Sequence, residues 1–224
     1  VGVMFGRYSL NSDGLLIANL GQEVPTNNIF EIDDDNIIPV LEDEYFKDDI
    51  TSRFVQFLKT TFGEENLSDN MRFIENSIGT TIRKYFVKDF YEDHIKRYKK
   101  RPIYWMVASP KKGFMSLIYM HRYETDTFAR VRNSYLTEYI TKLEAHKETL
   151  SLTTTSQTAS DKDKKDADKQ IKDIDIKLKE LIAFDRDKMM SMSQNPKEID
   201  LDDGVKVNYC KFEDILYPIV GLCK

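Results

Sequence analysis

The stretch RPIYWMVASPKKGFMSLIYMHRY, Arg101 to Tyr123, decides how this chain folds. Ile103, Trp105 and Val107 alternate with Tyr104, Met106 and Ala108. Beyond Pro110-Lys111-Lys112-Gly113, Phe114, Ser116, Ile118 and Met120 alternate with Met115, Leu117 and Tyr119. Aromatic and β-branched residues on either side of a Pro/Gly turn predict two antiparallel strands. Both faces are apolar, so the hairpin must be covered on both sides or extended by further strands. Its basic residues stand almost only at the turn and the ends. That leaves two readings, a core hairpin with solvated lysines or a rigid platform presenting positive charge.

Upstream, residues 1 to 40 read as irregular, with the end of a helix near Phe5, a short strand around Leu15 to Ala18, and a surface loop over the acidic Glu31 to Asp35. Three helical patterns then lead into the hairpin. Asp49 to Phe62 places Ile50, Phe54, Phe57, Leu58 and Thr61 on one side, with Gly63 as a stop. Ser68 is the expected cap of a second helix carrying Met71, Ile74 and Ile78, and a third runs from about Thr80 to Lys99 before Pro102.

Downstream, Phe128, Val131, Tyr135, Leu136, Tyr139, Leu143 and Leu150 form an apolar helical stripe. A polar interruption over Ser151 to Lys169 separates it from Ile171, Ile174, Leu178, Leu181 and Ile182, a pattern close to coiled-coil spacing. Asp202-Asp203-Gly204 reads as a turn into a Val205 to Val207 strand, and Phe212 to Tyr217 as a last short helix. The expected fold is a mainly helical α+β arrangement with a helical subdomain, a small antiparallel β-sheet and a long antiparallel coiled-coil helical hairpin. The expected partition is an irregular segment over 1–45 continuing from an upstream domain, a core formed by 46–125 and 195–224, and the coiled-coil hairpin over 126–194.

With 224 residues the chain can bury a real core. No run approaches the ~20 apolar residues of a membrane span, and no signal peptide opens the chain, so a cytoplasmic protein is expected. Cys210 and Cys223 are the only cysteines, and in a reducing compartment free buried thiols are expected. The three histidines are too scattered to complete a zinc set with them. The apolar opening without an initiating Met reads as a piece of a longer protein.

The net charge of -5 hides an asymmetry. Residues 1 to 50 hold eleven acids against Arg7 and Lys47, whereas residues 94 to 132 hold ten lysines and arginines against Glu124 and Asp126. A concentrated basic stretch in an acidic chain fits either localised polyanion binding or a solvated face paired with the acidic arm. No phosphate-binding glycine loop, G-x-S-x-G elbow or H-E-x-x-H pair is present, so no catalytic residue is assigned. The acidic clusters read as solvated loops, and no metal site is assigned. Candidate DNA-binding residues are Lys96, Lys99, Lys100, Arg101, Lys111, Lys112, His121, Arg122, Arg130 and Arg132. For His121 a hydrogen-bonded corner competes with a phosphate contact.

FGRYSL (Phe5 to Leu10), EYFKDDITSRFVQFLKTTFGEENL (Glu44 to Leu67), YFVKDFYEDHIKRYKKRPIYWM (Tyr85 to Met106) and LDDGVKVNY (Leu201 to Tyr209) occur in this order. Together they resemble the C-terminal region of PglX-type adenine-specific DNA methyltransferases of bacteriophage-exclusion (BREX) systems. The resemblance implies a bacterial parent enzyme that transfers a methyl group from S-adenosylmethionine to adenine N6 and marks host DNA as self. The N-P-P-Y and glycine-rich cofactor motifs of such enzymes are not in these residues, so no cofactor is expected here. The implied partners are duplex DNA, the catalytic domain of the same parent chain and other phage-exclusion proteins. Two rival readings stand beside DNA positioning: the C-terminal part of a single-chain type II restriction-modification enzyme, and an assembly module that touches no DNA.

Overall fold

The structure is a computed structural model that describes residues 1–26 and 28–223. It divides into two units: Val1–Ala108, Met115–Thr127 and Lys197–Lys224 form the first, and Ser109–Phe114 with Phe128–Pro196 the second. The fold is mainly helical α+β with a small antiparallel sheet.

The first unit is built around a three-stranded sheet of order β1-β3-β2. Strands β2 (Tyr104–Ala108) and β3 (Met115–Tyr119) are buried at every position. They pair antiparallel from Tyr104 opposite Tyr119 to Ala108 opposite Met115. Both expected solutions for a doubly apolar hairpin are used. The sheet is extended by β1 (Ile38–Pro39) on β3, and the far edge of β2 is closed by the C-terminal chain, where Tyr217 N–H donates to Met106 O at 2.8 Å and Ala108 N–H to Ile215 O at 3.0 Å. Pro39 sits on the edge strand, where a missing N–H costs the ladder nothing. On one face Trp105 packs between Tyr209 and Phe212, with ring centroids 5.9 and 5.8 Å away; on the other Tyr104 meets Tyr119, His94 and Phe5 at 5.2, 5.2 and 5.7 Å.

Helix α1 (Ile50–Phe62) starts and stops where the sequence places it: Asp49 accepts from Ser52 N–H at 2.8 Å, and Gly63 ends it with φ 87°. Helix α2 (Leu67–Ile78) differs from expectation, because a 3-10 turn over Glu64–Asn66 feeds straight into it and Ser68 lies inside rather than at the cap. The single helix expected from Thr80 to Lys99 is two, α3 (Ile82–Lys88) and α4 (Phe90–Arg97), broken at Asp89. The break lets Phe86 turn onto Phe54 of α1 while Tyr91 turns to the sheet, where its hydroxyl accepts from Met106 N–H at 3.1 Å.

Five further expectations for this unit fail. Phe5 lies in a turn, not at a helix end, and Leu15 to Ala18 form no strand, because their backbone pairings among the described residues are Leu16 and Ile17 N–H to the Arg7 and Gly6 carbonyls. Val205 to Val207 belong to helix α9 (Gly204–Cys210), since helical spacing buries Asn208 and Tyr209 while leaving Val207 exposed. Phe212 to Tyr217 is a run of turns that hands Leu216 to Val107 in a β-bridge. Finally, Cys210 and Cys223 are not free thiols but a disulfide across a separation of 13 residues. The chain returns past the end of α9 and brings their Cα atoms to 5.3 Å, inside the span a disulfide bridges.

The second unit is a helical hairpin. Its first arm runs through α5 (Thr127–Arg130), a π-helical segment Val131–Leu136 and α6 (Thr137–Thr155); the second through α7 (Asp161–Phe184), a π-helical segment Asp185–Met189 and α8 (Met190–Gln194). Ion pairs Arg132–Asp185 and Lys147–Asp175 join the arms, and their reversed numbering fixes them as antiparallel. The polar interruption is shorter than expected. Ser160 forms a capping box with Asp163, so the Lys/Asp-rich segment is already helix. Ala167, Ile174, Leu178 and Leu181 are buried, whereas Ile182 is half exposed and lies off the seam.

Candidate nucleic-acid interface

The lysines that close α4 occupy unusual backbone. Lys99 N–H bonds Lys96 O at 3.1 Å and Lys100 N–H bonds Ile95 O at 2.8 Å, the double closure of a Schellman ending. Lys99 and Lys100 have φ 49° and 64°. Glycine normally fills such positions because a Cβ is strained there, at ~1–3 kcal/mol for a residue so held. Both side chains point to solvent, and Lys100 Nζ donates to Val220 O at 3.0 Å. Lys96 pairs loosely with Asp93 at 3.7 Å, and Arg101 is exposed. Basic residues at a helix C-terminus also complement its dipole, which accounts for charge here but not for lysine rather than glycine in the turn.

The hairpin turn, in the second unit, repeats the feature. Lys112 N–H bonds Ser109 O at 2.8 Å, Ser109 N–H bonds Phe114 O at 3.0 Å, and Lys112 has φ 61°. Lys111 and Lys112 are exposed. The turn is pinned from α7: Glu180 accepts from Lys111 N–H at 2.6 Å, and a Cβ on Gly113 would collide with the same carboxylate. Among the described residues the non-glycine positions with positive φ are Asn36, Lys99, Lys100 and Lys112.

The other candidates are used internally. Arg122 donates to Asp33 O at 2.6 Å and Asp34 O at 2.9 Å, tying the acidic run to the end of β3. That run is therefore not the solvated loop its composition implies. Asp33 is buried and accepts from Ile37 N–H at 3.0 Å; burial first, and then the charge of Asp35, push its carboxyl up to about 7. Asp33, Asp34 and Asp35 are close enough to share an ion, but Asp33 is already turned to this amide and stands 4.0 Å from Arg53. Arg132 holds Asp185 through two bonds of 2.6 and 2.9 Å, joining the two π-helical segments. Arg130 is half-buried. His121 is half-buried against Tyr119, its ring centroid 4.9 Å away, and burial holds its pKa below the ordinary value.

Within the first unit Lys96, Lys99, Lys100 and Arg101 thus stand together and exposed, and within the second so do Lys111 and Lys112. Arg97, absent from the candidates, is exposed beside them and also lines an aromatic cavity. Its place in the same basic run was the available signal.

No family model matches the chain. Two curated relatives do. The chain is 38% identical over 245 residues to the adenine-specific methyltransferase BrxX of Escherichia coli O9:H4 (strain HS), covering 99% of this chain and 20% of that protein. It is 36% identical over 240 residues to the adenine-specific methyltransferase PglX of Lacticaseibacillus casei (strain Zhang), covering 98% of this chain and 19% of that protein. The chain spans about a fifth of the length of the curated relatives it matches. Over nearly all of its residues, it is homologous to the C-terminal region of PglX-type adenine-specific methyltransferases.

Proposed function

We propose that these residues position duplex DNA, and support target recognition, for an S-adenosylmethionine-dependent adenine-N6 DNA methyltransferase that marks host DNA in phage exclusion. The observation that carries this reading is the set of exposed lysines, Lys99, Lys100 and Lys112, held in left-handed turns where glycine would be less strained. Exposed ammonium groups carried on such short, hydrogen-bonded turns can neutralise phosphates. That is the sequence-independent part of DNA binding. The catalytic domain of the parent supplies the cofactor and the chemistry, in the bacterial cytoplasm.

The test is a salt titration of the 224-residue chain on duplex DNA. Binding is expected to weaken steeply as salt rises, and Lys99→Glu with Lys100→Glu, or Lys111→Glu with Lys112→Glu, should weaken it alike on every sequence. A second reading, an assembly module, has an observation of its own: α2 buries none of its residues and leaves Phe73 72% exposed. A chain with no duplex affinity even at low ionic strength decides for assembly.

A further inference from the structure

Beside α4 the first unit holds a cavity of ≈ 320 Å³, within the ~300–1,000 Å³ of small-molecule sites. Much of its wall is aromatic, from Tyr8, Phe54, Phe57, Phe90, Tyr98 and Tyr104, and Val1 to Met4, His94 and Arg97 complete it. The rings brace one another. His94 stacks on Phe90 at 5.9 Å with 12° between planes, and lies 4.6 Å from Tyr98 and 5.2 Å from Tyr104. Gly2 is required in the wall, because a Cβ there would lie 2.6 Å from the Tyr8 ring.

Tyr104 is only 4% exposed, yet its hydroxyl has no hydrogen-bond partner among the described residues. Burial raises its pKa well above the ordinary value, so it remains a proton donor without an acceptor. A buried donor left unpaired is a cost that a bound acceptor would remove. His94 is neutral at pH 7, since burial pushes its pKa down to about 4, and its Nε2 accepts from Tyr104 N–H at 3.4 Å.

Aromatic walls suit two ligand classes, a quaternary ammonium or a flat heteroaromatic ring. The charges choose between them. Among the described residues no carboxylate lines this cavity, Arg97 does, and Lys99, Lys100 and Arg101 follow it closely in the chain. A cation is disfavoured there, and a ring that carries a phosphate is favoured. We propose that the cavity binds the base of a nucleotide, with the ring between the aromatic walls, Tyr104 Oη donating to a ring acceptor, and Arg97 meeting the phosphate. The base comes either from a free nucleotide or from a nucleotide unstacked from DNA. Only the second source rests on the DNA-positioning reading.

The test uses the 224-residue chain with adenosine 5′-monophosphate, thymidine 5′-monophosphate and adenosine, followed by calorimetry. At least one mononucleotide should bind. Tyr104→Phe should weaken it roughly fivefold, the worth of one hydrogen bond, without lowering the Tm. Arg97→Ala should weaken adenosine 5′-monophosphate but not adenosine. A duplex with 2-aminopurine opposite an abasic site distinguishes the sources. A fluorescence change whose midpoint Tyr104→Phe moves about fivefold to higher protein concentration identifies DNA, whereas mononucleotide binding without any such change identifies a free nucleotide. No mononucleotide binding at millimolar ligand, or binding that Tyr104→Phe leaves unaltered, overturns the proposal. Loss of duplex affinity in the lysine variants with mononucleotide affinity intact concerns phosphate contact alone, so the two ideas fail separately.

Discussion

At the end of α4, Lys99 and Lys100 sit in left-handed turns with exposed side chains, Lys100 reaching the single carbonyl of Val220; at the end of β3, Arg122 gives its guanidinium to two carbonyls of the acidic run. The hairpin turn and the π-helical segments repeat the contrast, with Lys111 and Lys112 exposed and Arg132 locked on Asp185. Along the sequence these residues form one basic stretch. In the fold they divide by where the charge is spent. Arg122 and Arg132 use several donors in a rigid fork to join carbonyls or a carboxylate, while Arg97 and Arg101 stay exposed with the lysines. The exposed charge of the stretch is carried by Lys96, Arg97, Lys99, Lys100, Arg101, Lys111 and Lys112.

The contrast can be broken most forcefully at the interior arginines. Arg122→Met leaves two carbonyls without their charged donor and should cost about 2–3 kcal/mol in denaturant unfolding, with little change in duplex affinity. Arg132→Ala leaves Asp185 partly buried and unpaired; about 1–2 kcal/mol is expected, seen as a lowered Tm, again with DNA binding preserved. Lys99→Gly should act in the opposite sense on both measurements, gaining about 0.5–1 kcal/mol by relieving the left-handed turn while weakening DNA binding.

A separate, pH-dependent effect concerns Asp33, whose folded pKa of about 7 lies above its ordinary 3.8. The folded state then holds a proton that the unfolded chain releases between these values, so this group's contribution to stability falls as pH rises from about 4 to 7. Asp33→Asn removes that loss. The stability difference between Asp33→Asn and the parent should grow in favour of the variant across this window, followed by urea unfolding at several pH values.

The hairpin was legible because its apolar alternation and Pro/Gly turn are local signals, and α1 because Asp49 and Gly63 mark its two ends. The arms were legible from their stripes. What escaped depends on distant partners. Ile38–Pro39 is too short to show a period, yet it forms a strand because β3 offers an open edge. Val205 and Val207 carry a strand-like alternation that burial of Asn208 and Tyr209 overrides. The disulfide needs the C-terminal chain to return along β2, and no spacing announces that. At the candidate interface the residue types were legible but not their conformations, since lysine, unlike glycine, gives no hint of a positive φ. Nor does an arginine in a basic run reveal whether a carbonyl waits for it.

The most direct measurement is the dependence of duplex affinity on salt for two sets of variants of the 224-residue chain. Replacing Lys99, Lys100, Lys111 or Lys112 by Ala should make the slope of log K against log salt shallower by about 0.9 for each phosphate no longer neutralised, while Arg122→Met and Arg132→Ala keep the parent slope. Unchanged slopes in the lysine variants, or a shallower slope in the arginine variants, would contradict the division of labour between the two kinds of residue.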